Sequence, residues 1–556
     1  MPTRGFESSV EPVLNFGLGK ATKVDSLKIG WPNMKMQVLR NIKANTTITL
    51  KQTDANLVYN PVVPKPAPFY KNITAGSFKG DINHKENDYK DFDNQRLIPK
   101  MVSTEGPKLA VADVNGDGLP DFFMGNATGD TAKLYIQQPN GTFVRSRQPA
   151  FEQDKNSEDV GALFFDANHD GHPDLVTVSG GNLEAEGSIN LLARLYMNDG
   201  HGNFTRKFNG WPLVSINASC VRLNNNNGDL FIGARCVPGS YGIIPSSKLL
   251  RNDGHGNFTD ITATVAPELQ KLGMVTDAQW VDIDGSGKNS LVVVGDWMPV
   301  TILKYVDGVL QKTGEIANSS GWWNCLTVAD LDGDGKPDLV AGNNGLNSKI
   351  KADADHPAKL YIADFDNNGQ EECIPVYYKT DGKAYPFNLH DDLIKQMPIL
   401  KKKFLRYDAY AGKSIDEIFT PEELSKASVL TVDQEQTCVF FNKGNGQFNM
   451  QPLPARAQFS PVFTILVTDI SGTGKKDLFL GGNFYGVKPE IGRYDANYGT
   501  VMLNKGNRRF EFMPPAASGL FITGEVRDAA MIENKNGKSI IIARNNDALQ
   551  LYKKVK

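Results

Sequence analysis

Asp113-Val114-Asn115-Gly116-Asp117-Gly118-Leu119-Pro120-Asp121 is the stretch on which the fold turns. Side-chain oxygens fall at positions 1, 3, 5 and 9, and glycine at position 6 permits a sharp bend. That is the logic of the first half of an EF-hand loop. Here the turn lies between apolar segments short enough to be strands, and no helix follows. Two further full copies run from Asp166 to Leu175 and from Asp330 to Leu339. Weaker copies begin at Asp282, Asp364 and Asp469, and a degraded one spans Asn224 to Asp229.

A second element follows most of these turns. Leu195 to Phe204 contains Asn198-Asp199-Gly200-His201-Gly202-Asn203, and Leu249 to Phe258 repeats it. Looser versions cover Leu134 to Phe143, Val439 to Phe448 and Val501 to Phe510. An apolar strand, an Asn/Asp-Gly turn and a second strand make the local signature of a β-hairpin. One repeat is then four short strands, and such units close radially into a β-propeller. Acidic turns at Asp113, Asp166, Asn224, Asp282, Asp330 and Asp469 mark six repeats. Ala529 to Ile542 with Asn545 to Tyr552 supplies a seventh without its acidic turn, and Asp364 falls inside the fifth. The expectation is an all-β, seven-bladed β-propeller over 101–556, six and eight blades also being compatible with the spacing.

Three segments stand outside the repeat. Residues 1–55 read as short strands, among them Val24 to Ile29 with period-2 alternation. Residues 56–100, rich in Pro and Asn, read as a linker or wrap-around arm with little regular structure. Ser414-Ile415-Asp416-Glu417 and Thr420-Pro421-Glu422-Glu423 are capping boxes, which predicts a helical insertion over about 389–428 in blade five.

Composition excludes several function classes. The chain has 556 residues, 60 Lys+Arg against 63 Asp+Glu, and a formal charge of −3. A near-neutral balance with no basic stripe argues against nucleic acid as a partner. No apolar run approaches the roughly 20 residues that a membrane span needs. Met1 to Gly5 has no basic n-region, apolar h-region or lipidation cysteine. The five cysteines are scattered without a C-x-x-C, so buried thiols are expected, pairing of Cys220 with Cys236 being the alternative.

The acidic turns point to a hard cation, which takes roughly six to eight oxygens. The ligand sets are Asp113, Asn115, Asp117, the Leu119 carbonyl and Asp121, then Asp166, Asn168, Asp170, His172 and Asp174. The third is Asp330, Asp332, Asp334, Lys336 and Asp338, and the fourth Asp364, Asp366, Asn368, Gln370 and Glu372. Position 7 contributes its main-chain carbonyl. The competing reading is an Asx-rich turn that needs no metal. Ser286 and Ser290, and likewise Ser471 and Thr473, stand where ligands are expected, so loops 282–290 and 469–477 should bind weakly or not at all. Several structural Ca²⁺ ions are the expected cofactor, and millimolar calcium places the protein outside the cytoplasm.

These turns resemble the FG-GAP/VCBS repeat family, in which the acidic loop sits within propeller blades, as in integrin α heads. Phe16-Gly17-Leu18-Gly19, Val24-Asp25-Ser26-Leu27 and Trp31-Pro32 resemble the latter part of the ASPIC/UnbV module. Together they are similar to secreted proteins related to cartilage acidic protein. The resemblance implies earlier module strands and a preceding propeller. The chain is thus expected to be a C-terminal portion, with that upstream half as a partner, and to lie in an extracellular, periplasmic or cell-surface setting.

The expected function is a calcium-stabilised binding or scaffold protein that recognises a glycan or protein at the propeller face. Candidate ligand-face residues are Asn343, Asn344, Asn347, Arg406, Asp408, Arg493, Asp495, Arg544, Asn545 and Asp547. Their competing role is a solvated loop or inter-blade hydrogen bonding. The alternative function is a Ca²⁺-dependent polysaccharide lyase using Arg406, Tyr407 and Lys401 to Lys403. No nucleophile elbow, H-E-x-x-H or P-loop is present.

Overall fold

The apolar segments flanking each acidic turn pair as antiparallel strands. Leu109–Ala112 pairs with Asp121–Met124, Asp159–Phe165 with Asp174–Ser179, and Cys325–Ala329 with Asp338–Gly342. The second strand of each pair is buried along its whole length, as in Asp174–Ser179 and Ser290–Met298. It is covered on both faces by neighbouring sheets, which is why Leu291-Val292-Val293-Val294 reads as a continuous apolar run. Outer strands face water on one side, and Gln447–Pro452 alternates over its first four residues.

The computed structural model describes residues 13–59, 67–534 and 537–555. The chain forms two compact units, Met1–Pro66 and Ala67–Lys556. In the first, Lys23–Gly30, Lys35–Lys43 and Leu57–Val58 form a three-stranded antiparallel sheet in that order. Among its described residues only Ala55 is buried. Met1 to Gly5 and the prolines at 61, 64 and 66 lie outside the described residues.

In the second unit, seven sheets follow one another among the described residues. Their innermost strands are Leu109–Ala112, Asp159–Phe165, Ala218–Leu223, Met274–Val281, Cys325–Ala329, Val462–Thr468 and Glu525–Asn534. Each innermost strand adjoins the next, and the last adjoins the first, so the ring is closed. These sheets are blades one to seven below. Apolar side chains between successive blades form separate clusters, such as Val160, Val176, Val221 and Ile232 between blades two and three. A polar cavity of about 160 Å³ runs along the axis, with Lys108, Arg222, Asp277 and Asp528 on its wall.

The arm expected to be largely irregular does structural work at two places. Tyr70–Asn72 pairs with Gln550–Lys554 as the fourth strand of blade seven, so both ends of the unit meet in one sheet. Phe78–Lys79 pairs in parallel with Phe143–Ser146 of blade one. The arm then crosses the end of the ring formed by the loops between second and third strands. His84 accepts from the Asn546 N–H (3.2 Å), and Asn182 donates to the buried Asp91 (2.8 Å). Lys100 pairs with Asp296 (3.1 Å), and the Met101 N–H donates to the Gly486 carbonyl (2.8 Å). Such pairing of distant blades could not be read from local pattern.

The insertion in blade five is larger than the helical stretch expected at 389–428. It fills residues 343–437, between strands Asp338–Gly342 and Cys438–Gly444. It opens with strands Ala358–Ala363, Glu372–Tyr378 and Ala384–Pro386, which Ser428–Val432 completes as a separate four-stranded sheet. The helices lie between the last two strands, and both capping boxes form. The Asp364 loop therefore belongs to this sheet and to no blade. All five cysteines are free and buried.

Two stitches hold the ring, and each can be cut. The Asn ending a third strand donates from Nδ2 to the position-2 carbonyl of an acidic loop in the preceding blade. The bonds are Asn198 to Val114 (2.9 Å), Asn252 to Ala167 (2.8 Å), Asn442 to Ile283 (2.9 Å) and Asn504 to Leu331 (2.7 Å). Asn504→Ala strands buried carbonyls, so thermal or denaturant unfolding should show a loss of about 1–3 kcal/mol. Gly519 sits at φ +80°, where an added Cβ would lie 1.9 Å from the Tyr70 carbonyl oxygen. Gly519→Ala should destabilise by at least ~1–3 kcal/mol and expose the segment at 67–80 to limited proteolysis. An unchanged Tm would contradict the closing role of that strand.

Candidate metal loops and the opposite rim

Each acidic loop is first a hydrogen-bonded turn. The position-1 carboxylate accepts backbone N–H groups from positions 4 to 6: Asp113 from Gly116 (2.8 Å) and Gly118 (2.8 Å), Asp330 from Gly333 (2.8 Å) and Gly335 (3.1 Å). The position-5 side chain accepts from position 7, as Asp117 does from Leu119 (2.8 Å) and Asn368 from Gln370 (2.7 Å). His172 and Lys336 hold the same place after Asp170 (2.8 Å) and Asp334 (2.9 Å).

Position 9 is the buried base of the loop. Asp121 accepts from Val114 (3.1 Å) and from Gln137 on the third strand (2.8 Å). Asp174 does the same with Ala167 and Asn198, and Asp338 with Leu331 and Asn442. Burial pushes Asp121 up to about 7 and Asp174 up to about 6, against the pull of these bonds, and neighbouring loop carboxylates add to the rise. Asp338 is raised for the same reasons, and Glu372 reaches about 7.

Two loops gather three carboxylates tightly enough to hold a metal. Ligand oxygens of Asp330, Asp332 and Asp338 lie within 4.8 Å of one another, as do those of Asp364, Asp366 and Glu372. In the second set, Asp366 Oδ1 and Glu372 Oε1 are buried without a hydrogen-bond partner, which suits a cation. The gathered positions are 1, 3 and 9. Asp334, at position 5, turns instead to Lys336 Nζ (2.8 Å). Loops 113–121 and 166–174 have Asn at position 3, and Asn115 and Asn168 donate to Asp117 (3.1 Å) and Asp170 (2.9 Å).

Neighbours neutralise the degraded loops. Lys304 pairs with Asp284 (2.6 Å), the Ser471 hydroxyl donates to Asp477 (2.8 Å), and Arg251 pairs with Asp229 (3.0 Å). Sequence reasoning missed one such partner in a full loop: Arg508, from the third-to-fourth strand turn of blade six, pairs with Asp332 (2.8 Å). Its partner lies 176 residues away, beyond any local signal.

The ten ligand-face residues all lie on the arm-covered side or in the insertion, because they end or follow second strands. They do not converge on one site. Asn343 is fully buried and donates to the Gln434 carbonyl (2.8 Å), and its Oδ1 accepts the Asn344 N–H (2.8 Å). Asn347 donates to the Phe459 carbonyl (3.2 Å). Arg544 and Asn545 are buried, Arg544 bonding the Ala548 and Thr523 carbonyls and pairing with Asp547. These are structural bonds within and between loops. Arg406 pairs with Asp408 (3.1 Å) in the exposed helical region, while Tyr407 donates to Asp391 (3.1 Å). Arg493 pairs with Asp495 (3.0 Å), and its guanidinium lies over Tyr485 (4.2 Å). On the same loop Tyr498 stacks on Phe521 (5.5 Å, 7°), both rings exposed.

Among curated proteins the sequence has no match. Solved structures with similar coordinates include the V. cholerae biofilm matrix protein Bap1, at 12% identity and TM-score 0.36, covering 88% of this chain and 92% of that one. YCF48 bound to D1 peptide (8%, TM-score 0.37, 85% and 100%) and the Dos1 propeller (8%, TM-score 0.35, 85% and 96%) are others. The family described as ASPIC and UnbV matches residues 1–57, and the FG-GAP-like repeat matches 113–177 and 282–341. With acidic loops on a closed ring of four-stranded sheets, the chain is an FG-GAP-repeat β-propeller protein carrying an ASPIC/UnbV module.

Proposed function

We propose that this protein is a calcium-stabilised binding or scaffold protein acting outside the cytoplasm, and that it recognises a glycan or protein partner at the arm-covered face of the propeller. The observation that carries the calcium reading is the convergence of Asp330, Asp332 and Asp338, and of Asp364, Asp366 and Glu372, within 4.8 Å. Three carboxylates so close repel one another unless a cation or protons intervene. Calcium takes oxygen ligands of this kind and tolerates irregular geometry. When bound it would neutralise the loop and fix the strand pair that the loop joins. Asp113, Asn115 and Asp121, and Asp166, Asn168 and Asp174, hold the equivalent positions in the other two full loops. Loops of modest charge load at extracellular millimolar calcium, which supports an extracytoplasmic setting.

The ligand surface is the exposed side of the loop at 483–499. Tyr498 and Phe521 offer an aromatic face on which a sugar ring or an apolar side chain can stack, and Arg493 and Asp495 offer polar partners on the same loop. A glycan array with and without chelator should show binding that Tyr498→Ala with Phe521→Ala weakens about tenfold or more, equivalent to ~1.4 kcal/mol. Unchanged binding by the double variant would move the ligand surface elsewhere.

The calcium reading has a pH signature. Folded-state values for Asp121, Asp174 and Glu372 are raised above their unfolded values. In metal-free protein each contributes stability that is fully present below its unfolded value, 3.8 for the aspartates and 4.5 for Glu372, and is lost as pH rises through about 6 to 7. Calcium needs the ionised forms, so protons compete with it. The rise in Tm on adding calcium should therefore be large at pH 8 and shrink towards pH 5. A calcium effect of equal size at both pH values, or none at either, would contradict the assignment.

A further inference from the structure

We infer that an ion in loop 364–372 controls the packing of the insertion's helices, a regulatory role that the blade loops do not share. This rests on the calcium reading above and concerns what that one site does. The site is built: three acidic side chains converge within 4.8 Å, Glu372 is 1% exposed, and two of the oxygens, Asp366 Oδ1 and Glu372 Oε1, are buried with no hydrogen-bond partner.

What differs from the blades is the neighbour of the loop. At position 2, Val114 and Leu331 pack into clusters made of blade strands. An ion there fastens strand to strand. In loop 364–372 the position-2 residue is Phe365, whose ring lies 4.5 Å from Phe419 in the helical segment. Phe365 shares its core with Leu393, Met397, Ile415 and Ile418 from the same helices. The Phe365 N–H donates to Glu372 Oε2 (3.0 Å), and the Gln396 side chain lies beside the same carboxylate. The ligand that closes the metal loop thus also positions the aromatic ring on which the helices rest.

Those helices rest on a shared core to which that contact belongs. They are short, His390–Gln396, Tyr407–Tyr410, Ile415–Ile418 and Pro421–Lys426, and helices of that length do not hold in water without tertiary packing. Their far side meets the arm. Asn388 donates to the Leu97 carbonyl (2.8 Å), and Asp392 pairs with the buried Lys488 (2.6 Å), which also donates to the Arg96 carbonyl (2.5 Å). Without a cation, repulsion among Asp364, Asp366 and Glu372 opens the loop, withdraws Phe365 from Phe419 and loosens this cover over the ring.

Hydrogen exchange on the full chain, with calcium and with chelator, tests the link. Calcium at 100 times its dissociation constant should slow exchange in peptides from 389–427 by up to about 100-fold. Asp366→Asn should abolish that protection, while Asp332→Asn, in a blade loop, should leave it intact. Phe419→Leu should still bind calcium, read as heat in titration calorimetry, yet transmit less protection to 389–427. If calcium binds the wild type and 389–427 exchange stays the same, the control role is wrong and the calcium reading stands. If calorimetry shows no calcium binding, the calcium reading itself falls.

Discussion

In four of the seven blades a single buried carboxylate organises the turn. Asp121, Asp174, Asp338 and Asp477 each accept one N–H from their own loop and one from the third strand of the blade. The turn between strands one and two is thereby bound to strand three. In blades two, five and six an Asn of that third strand reaches back to the preceding blade's loop. The two bonds occur together in blades two, five and six, and each satisfies a buried backbone group that no sheet ladder reaches. Burial makes Asp121, Asp174 and Asp338 costly to ionise, so the loop above each must supply compensation, and the loops differ in how they do so.

The two ends of the propeller follow from this arrangement. Acidic turns and Asn-Gly turns both join strands at one end, where short local hydrogen bonds suffice. The other end carries the longer connections, the insertion at 343–437 and the arm, and its polar groups are satisfied over long sequence distances. Asp296, for example, is buried between Lys100 of the arm and Arg235 of blade three. An end built from such connections can vary its surface without disturbing the ring, which is where a binding protein displays its contacts.

The sequence made the repeat legible because its determinants are local. Positions 1, 5 and 9 of the acidic turn bond groups mostly within the same nine residues, and Asn-Gly hairpins announce themselves in the same way. Blade seven was legible even without its acidic turn, since Ile540-Ile541-Ile542 carries the apolar run of a second strand. The arm was not, because its partners at Gln550–Lys554 lie some 480 residues away and nothing in Tyr70-Lys71-Asn72 advertises them. The sheet of the insertion was hidden by its likeness to a blade hairpin, which led Asp364 to be counted within blade five. Asn343, Arg544 and Asn545 looked like ligand contacts because they are polar and outside the turn motif. Their bonds to buried carbonyls and carboxylates give the other reason a loop carries such residues.

The degraded loops bear on the proposal that a metal fills the full ones. Wherever an acidic position has been lost, a protein group stands in: Lys304 beside Asp284, the Ser471 hydroxyl on Asp477, Arg251 and the Tyr305 hydroxyl on Asp229. The same electrostatic demand is met by different side chains in three loops. In loop 330–338 the demand is met in part by Arg508, and in loop 364–372 two buried oxygens are left over. A turn that served only to reverse the chain would have no reason to keep three carboxylates together where its neighbours have replaced them. Retaining them accords with the calcium proposed above, in which an outside cation would complete the loop.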